Sequence, residues 1–418
     1  MSKNIVICCD GTGNEISENI SNVLKLYRMV RKTGKAANQV AYYDPGVGTL
    51  ARPDPWKKAL QDATASFGLA TGYGLDEHVL GAYRFLVQQY EEGDEIFLFG
   101  FSRGAHTVRI LAGLIHMVGL LRVEQLNLAD AALGVYKQSS ETVVHHAPVE
   151  VADAISDGDG QPAVFSSDDR ASQFARIVST RWPTIKFLGV WDTVASVIVP
   201  RPDRFYTFSL QTLPFTERNP SVQVFRQAIA IDERRRMFRL SRWDEGQTFM
   251  SNRFSLTNNS KPQDSKQVWF AGVHADVGGG YPEAESELSK FPLIWMIEEA
   301  KAIGLAVNQA TMNQLAWGKK RAGSPFSYVA PRYERPPHTS LIGLWPLLEW
   351  LPKSDRYKEW SARRSFLNYY LPQSEPRPIS AGSRIHQSVI DKEKLDPGYH
   401  PVNLAKPYEI EPYSTPPS

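Results

Sequence analysis

At 418 residues, with 42% hydrophobic and 22% charged side chains, the chain is long enough to bury a large core and has no disordered majority. Its 47 basic residues against 45 acidic leave a formal charge of +2, which excludes a global field for gathering nucleic acid or an anionic membrane. The only two cysteines, Cys8 and Cys9, are adjacent and so point to opposite faces of a strand, which excludes a disulfide framework and allows a reducing compartment.

The opening "MSKNIVICCDGT" has too few apolar residues before its acid to form a signal-peptide core, and no apolar run is long enough to cross a bilayer. The expected setting is cytoplasmic, with export only by a signal-independent route. The run "NIVICC" reads as a buried strand ending at Asp10-Gly11-Thr12. Phosphatases with a DxDGT signature attack with the first aspartate of that pattern. Here that position is Cys8, so the phosphatase reading loses its nucleophile, and Asp10 reads as an organiser of its loop.

Four further apolar runs end in polar, glycine-bearing loops: "QVAYY" before Asp44, "EIFLFG" before Ser102, "IKFLGVW" before Asp192 and "QVWFAGV" before His274. Between them, Asn22 to Lys32, Leu75 to Glu92 and Gly104 to Leu121 space their apolar residues as helices do. Strand, helix, strand repetition predicts a mostly parallel α/β sheet flanked by helices, with ligands at the carboxyl ends of the strands. Residues 1–283 form the core, with insertions near 147–175 and 197–222. Residues 284–418 read as a helical and loop C-terminal extension packed on that core, where a lid is one option. The basic run Arg234-Arg235-Arg236 follows two acids and reads as a solvated helix face.

The strongest chemical signal is Gly100-Phe101-Ser102-Arg103-Gly104, set between a strand and an amphipathic helix. A strand turning sharply into a helix holds its apex residue in a strained backbone, and the flanking positions must be nearly free of side chain. The helix start directs N–H groups at the apex, where an oxyanion would form. Ser102 is the expected nucleophile, and the N–H of Arg103 an oxyanion donor. Gly11 or Thr12 is expected to give the second donor. Such a serine needs a histidine base and an acid that fixes its tautomer, each in a loop after a later strand, and Asp192 and His274 meet that order. His386 is the rival base, with Asp276 as its acid.

Two other classes of function compete. Asp10, Asp192 and Asp276 at one sheet edge would suit a metal-dependent phosphoester hydrolase, and the fold without its chemistry would serve as a non-catalytic binding module. No P-loop, complete dinucleotide fingerprint, HExxH or CxxC occurs, so no cofactor is expected.

The ordered set "CCDGTGN", "YYDPGVGT", "GFSRGAHTVR", "GVWDTV", "AIDERRRMF" and "GVHADVGGGY" resembles the DUF2235 family, the α/β-hydrolase domain related to Tle1-type type VI secretion phospholipase effectors. The resemblance implies an α/β-hydrolase fold and a serine carboxylester hydrolase, an esterase or lipase whose better-known relatives cleave phospholipids. By motif, Ser102 takes the place of the elbow serine, and Asp192 and His274 fall in "WDTV" and "HxDVGGGY". Gln227 stands where the family's histidine before "AIDERR" is expected. The stretch "SLIGLWPLLEWLPK" reads more simply as core packing. Its alternative is a lid or peripheral membrane contact through Trp345, Leu348 and Trp350.

Overall fold

The computed structural model describes residues 2–11, 19–32, 38–46, 73–146, 170–178, 180–194, 198–200, 208–210, 213–236, 238–251, 253, 260–343, 345–355 and 358–414. Eight strands form one parallel sheet: β1 (Asn4–Cys9), β2 (Gln39–Asp44), β3 (Glu95–Phe101), β4 (Ile185–Trp191), β5 (Val222–Ala230), β6 (Asp264–Phe270), β7 (Arg384–His386) and β8 (Glu409–Glu411). Their spatial order is β8-β7-β6-β5-β4-β3-β1-β2, and every neighbouring pair runs parallel. The predicted α/β architecture is therefore present.

The helices named below are α1 (Asn22–Met29), α2 (Tyr73–Gln89), α3 (Arg103–Val118), α4 (Ala129–His146), α5 (Arg170–Val178), α6 (His274–Gly278), α7 (Lys290–Lys301), α8 (Gln309–Leu315), α9 (Trp345–Leu348) and α10 (Gln387–Leu395). Strand side chains alternate between the two faces of the sheet. Ile5, Ile7 and Leu98 pack with Leu86 of α2 and Leu111 of α3, whereas Val6, Phe97 and Phe99 pack with Leu26 of α1 and Met296 of α7. Both faces are covered, which is why the strands read as continuous apolar runs.

Two differences from the sequence reading concern the sheet. The extension after residue 283 supplies β7 and β8, which widen the sheet beyond β6. β5 was hidden because Arg226 and Gln227 interrupt its apolar pattern. Both are buried and bonded, Arg226 to Asp264 and Glu299, and Gln227 to Arg109 and the Ser241 carbonyl. The insertion near 197–222 contains a short antiparallel pair, Ile198–Pro200 with Phe208–Leu210. Residues 147–169 lie outside the described residues.

Register sets the site. Cys9 lies level with Gly100, Phe101 with Trp191, Trp191 with Ala228, and Ala230 with Phe270. Asp10, Ser102, Asp192 and the loop from Ala271 to His274 therefore leave the sheet at one edge, the edge of the strands' carboxyl ends.

Candidate active site

Ser102 links β3 to α3 with φ 55° and ψ −119°, a backbone that an L residue adopts only under constraint, at a cost of about 1–3 kcal/mol. The turn closes because its neighbours lack side chains. A Cβ on Gly104 would lie 2.1 Å from the Cys9 carbonyl oxygen and 2.5 Å from that of Asp10, and one on Gly100 would lie 2.5 Å from the Gly104 carbonyl oxygen. The Ser102 N–H donates to the Trp191 carbonyl at 3.1 Å, tying the elbow to β4. Serine at a helix start usually caps it, yet the Ser102 side chain makes no cap bond here. Among the described residues its hydroxyl engages no partner, although the residue is only 7% exposed.

Asp192 begins the loop after β4 and is fully buried, with φ 38°. His274 starts α6 after β6, and its Nδ1 lies 2.5 Å from Asp192 Oδ2. Asp192 accepts three further bonds: from the Ala230 N–H at 2.9 Å, and from Arg377 Nη1 at 2.6 Å to Oδ1 and Nη2 at 3.1 Å to Oδ2. Burial is the largest single influence and opposes the charge, but Arg377 and His274 together outweigh it and hold the Asp192 carboxyl far below its usual range. For His274 burial is the larger influence and lowers its pKa, against the pull of Asp192 the other way.

The imidazole is held on its faces as well. Phe101, immediately before Ser102, packs in a tilted arrangement with its ring centre 4.7 Å from that of His274, and Phe238 meets it edge-on at 4.8 Å. Glu233 accepts the His274 N–H at 3.1 Å, the Arg235 side chain and the Ser340 hydroxyl. Burial opposes its charge, but Arg235 prevails and brings the Glu233 carboxyl down to about 2. Arg377 and Glu233 are the residues that sequence reasoning missed. "AIDERR" carried a signal for Glu233, but nothing in the local sequence of Arg377 points to Asp192.

The remaining candidates separate. Asp10 accepts from Tyr43 at 2.8 Å, from Ser21 and from the Gly11 N–H at 2.7 Å, so it organises its loop. Gly11, expected as an oxyanion donor, thus turns its N–H onto Asp10, and Thr12 lies outside the described residues. The alternative pair of His386 and Asp276 is not formed. His386 Nδ1 bonds Ser388 and its ring stacks 4.6 Å from Phe270, where burial pulls its pKa down to about 3. Asp276 instead caps the Val273 N–H and bonds His338 Nδ1 at 2.6 Å. Asp10, Asp192 and Asp276 each serve separate protein donors, and among the described residues no three His, Cys, Asp or Glu side chains group as metal ligands.

The run 234–236 is also corrected. It lies in the loop after β5, not on a helix. Arg235 stacks 3.6 Å above the Phe238 ring, and Arg236 donates to the Leu351 carbonyl, because Glu233, Phe238 and the Leu351 backbone offer partners that a solvated face would lack. Of the residues expected near lipid, Trp350 is exposed, Trp345 packs 5.7 Å from Phe238, and the Leu348 side chain lies outside the described residues.

A parallel α/β sheet carrying an elbow serine and a buried acid–histidine pair at its carboxyl edge defines a protein of the α/β-hydrolase class. The family model for the catalytic domain of Tle1-like type VI secretion phospholipase effectors matches residues 3–299, and the chain belongs to that family. The uncharacterized protein YEL023C of Saccharomyces cerevisiae is 32% identical over 247 residues, covering 57% of this chain and 32% of that protein. The chain thus spans about a third of this relative's length. An uncharacterized protein from Pseudomonas aeruginosa is similar in structure at 19% identity and TM-score 0.36, over 73% of this chain and 47% of the other. The Tle1 effector bound to the VgrG spike is similar at 17% identity and TM-score 0.32, over 69% and 52%.

Proposed function

We propose that the protein is a serine carboxylester hydrolase of the lipase type. Ser102 Oγ attacks the ester carbonyl, and His274 Nε2 takes its proton and passes it to the leaving alkoxide, releasing the alcohol. Water then attacks the acyl-serine with His274 again as base, releasing the carboxylic acid and restoring Ser102. Asp192 holds the tautomer with the proton on Nδ1. The Arg103 N–H at the start of α3 faces the developing oxyanion.

The observation that carries the reading is the buried His274–Asp192 bond beside an elbow serine whose hydroxyl has no partner among the described residues. The structure makes no Ser102–His274 hydrogen bond, and catalytic bonds of this kind commonly tighten in the substrate complex. Family membership favours a lipid ester, a phospholipid among them. The Arg103 side chain has no acidic partner among the described residues, which suits a substrate with an anionic group near its scissile ester.

The test is labelling of the purified protein with a fluorophosphonate probe, followed by peptide mass spectrometry. The expected result is an adduct on Ser102 that disappears in His274→Ala. A folded protein that takes no label would remove this reading and favour a non-catalytic module. A Ser102 adduct indifferent to His274 would remove the assigned base.

A further inference from the structure

Outside the site, the segment from Ser340 to Leu371 leaves large apolar side chains in solvent. Phe366 and Leu367 are 78% and 77% exposed, and Ile342, Leu347, Trp350 and Leu351 are each more than half exposed. Single exposed hydrophobics are ordinary, but a contiguous group is not.

Backbone pairing gathers these segments on one small antiparallel sheet. Strands Lys353–Ser354 and Ser365–Phe366 both pair with Tyr369–Tyr370, and the Gln373 N–H bonds the Glu349 carbonyl, bringing the chain after Tyr370 beside Trp350 and Leu351.

The hairpin tip is unusual in its chemistry. Leu367 and Asn368 both have positive φ, 49° and 63°, in a two-residue turn of the kind that Asn-Gly normally fills. A leucine gains nothing there from turn geometry, and at 77% exposure it gains nothing from packing. Arg364, two residues before Phe366, is exposed and makes no ion pair among the described residues. The acids beside it have other cations: Asp355 lies 3.9 Å from Lys358 Nζ and accepts from Ser365 at 2.6 Å, and Glu359 pairs with Arg239 at 2.6 Å. The surface therefore presents apolar tips beside an uncompensated cation, the complement of an anionic lipid interface.

This surface also joins the candidate site. His274 touches Phe238, Phe238 touches Trp345, and Arg235 lies over both aromatic rings. Arg236 bonds Glu349 and the Leu351 carbonyl.

We infer that the Phe366–Leu367 hairpin tip, with Trp350, Leu351 and Arg364, is a lipid-docking surface that seats the protein on an anionic bilayer. Its bearing on turnover rests on the ester-hydrolase reading. The docking itself does not.

The experiment is flotation of the full chain, carrying Ser102→Ala to prevent lipid breakdown, with vesicles of phosphatidylcholine alone or mixed with an equal part of phosphatidylglycerol. Stronger binding to the mixed vesicles is expected, with Phe366→Ser/Leu367→Ser lowering the bound fraction at least about tenfold, since two apolar side chains no longer leave water. Leu367→Gly should weaken binding while its melting temperature holds or rises, because glycine accepts the positive φ.

Absence of wild-type binding to either vesicle, or undiminished binding by the double variant, would overturn the inference. So would a wild-type dimer that the double variant splits, which would make the patch an interface between copies. Turnover of a soluble short-chain ester, measured without vesicles and with Ser102 intact, reports on the active site separately. It should be unchanged in the Phe366/Leu367 variants.

Discussion

Arg377 forks onto both carboxylate oxygens of Asp192, at 2.6 and 3.1 Å, while His274 meets the same carboxylate at 2.5 Å. Arg377 lies outside the stretch covered by the family model, so a residue of the C-terminal extension shares the acid of the proposed triad. All three groups are buried.

Replacing Arg377 by methionine removes the cation that shares Asp192 with the His274 imidazole. The remaining negative charge then acts more fully on His274 and favours imidazolium, so the acidic limb of the kcat/KM profile should move to higher pH. Breaking a buried pair should also cost about 3–5 kcal/mol, read as a lower denaturation midpoint. Arg377→Lys keeps the charge without the fork and should fall between. A lower midpoint with an unmoved pH limb would reduce Arg377 to a structural role.

The wild-type profile gives a second prediction. As the proposed base, His274 has to be neutral to accept the Ser102 proton, and burial lowers its pKa from the ordinary 6.5. Activity should therefore rise with pH through a midpoint below 6.5 and be flat near neutrality, until another group titrates. A midpoint above 6.5 would mean that Asp192 outweighs burial.

Asp192→Asn tests the acid in two ways. An amide can hold the wrong imidazole tautomer, and in a comparable triad this change costs on the order of 10⁴ in kcat. The native Asp192 carboxyl is depressed, so its stabilisation is present above the unfolded value of about 3.9 and is lost as pH falls toward the folded one. The variant lacks that contribution. Its stability should thus change less than that of the wild type on acidification below about pH 4, as denaturant titrations at several pH values would show.

Much of this was legible because buried parallel strands write themselves as apolar runs. β3 and β4 run directly into Ser102 and Asp192 of the candidate site, β6 leads to the loop that carries His274, and the glycines around Ser102 mark the elbow. β5 was missed because its buried Arg226 and Gln227 look like loop residues until their partners are known. Arg377 was unreadable for a related reason. Its partner is 185 positions away, and a buried ion pair leaves no periodicity in either segment. The reading of Arg234-Arg235-Arg236 failed because local charge pattern cannot report that Glu233 and Phe238 draw Arg235 inward.

Gly278 offers a last prediction, since its constraint acts on the site through one ring. A Cβ there would fall 1.8 Å from the Phe101 ring, which supports His274 and directly precedes Ser102. Alanine must push that ring aside, at an overpacking cost of about 1–3 kcal/mol. The displacement would tilt His274 away from Ser102, and a misplacement near 1 Å can cost about 100-fold in rate. Gly278→Ala should therefore remain folded with strongly reduced kcat. Gly104→Ala instead drives its Cβ into the rigid carbonyls of Cys9 and Asp10 and should lose the fold along with the activity. Circular dichroism and turnover on the same preparations separate the two. A Gly278→Ala protein with full activity would show that the Phe101 contact does not position His274.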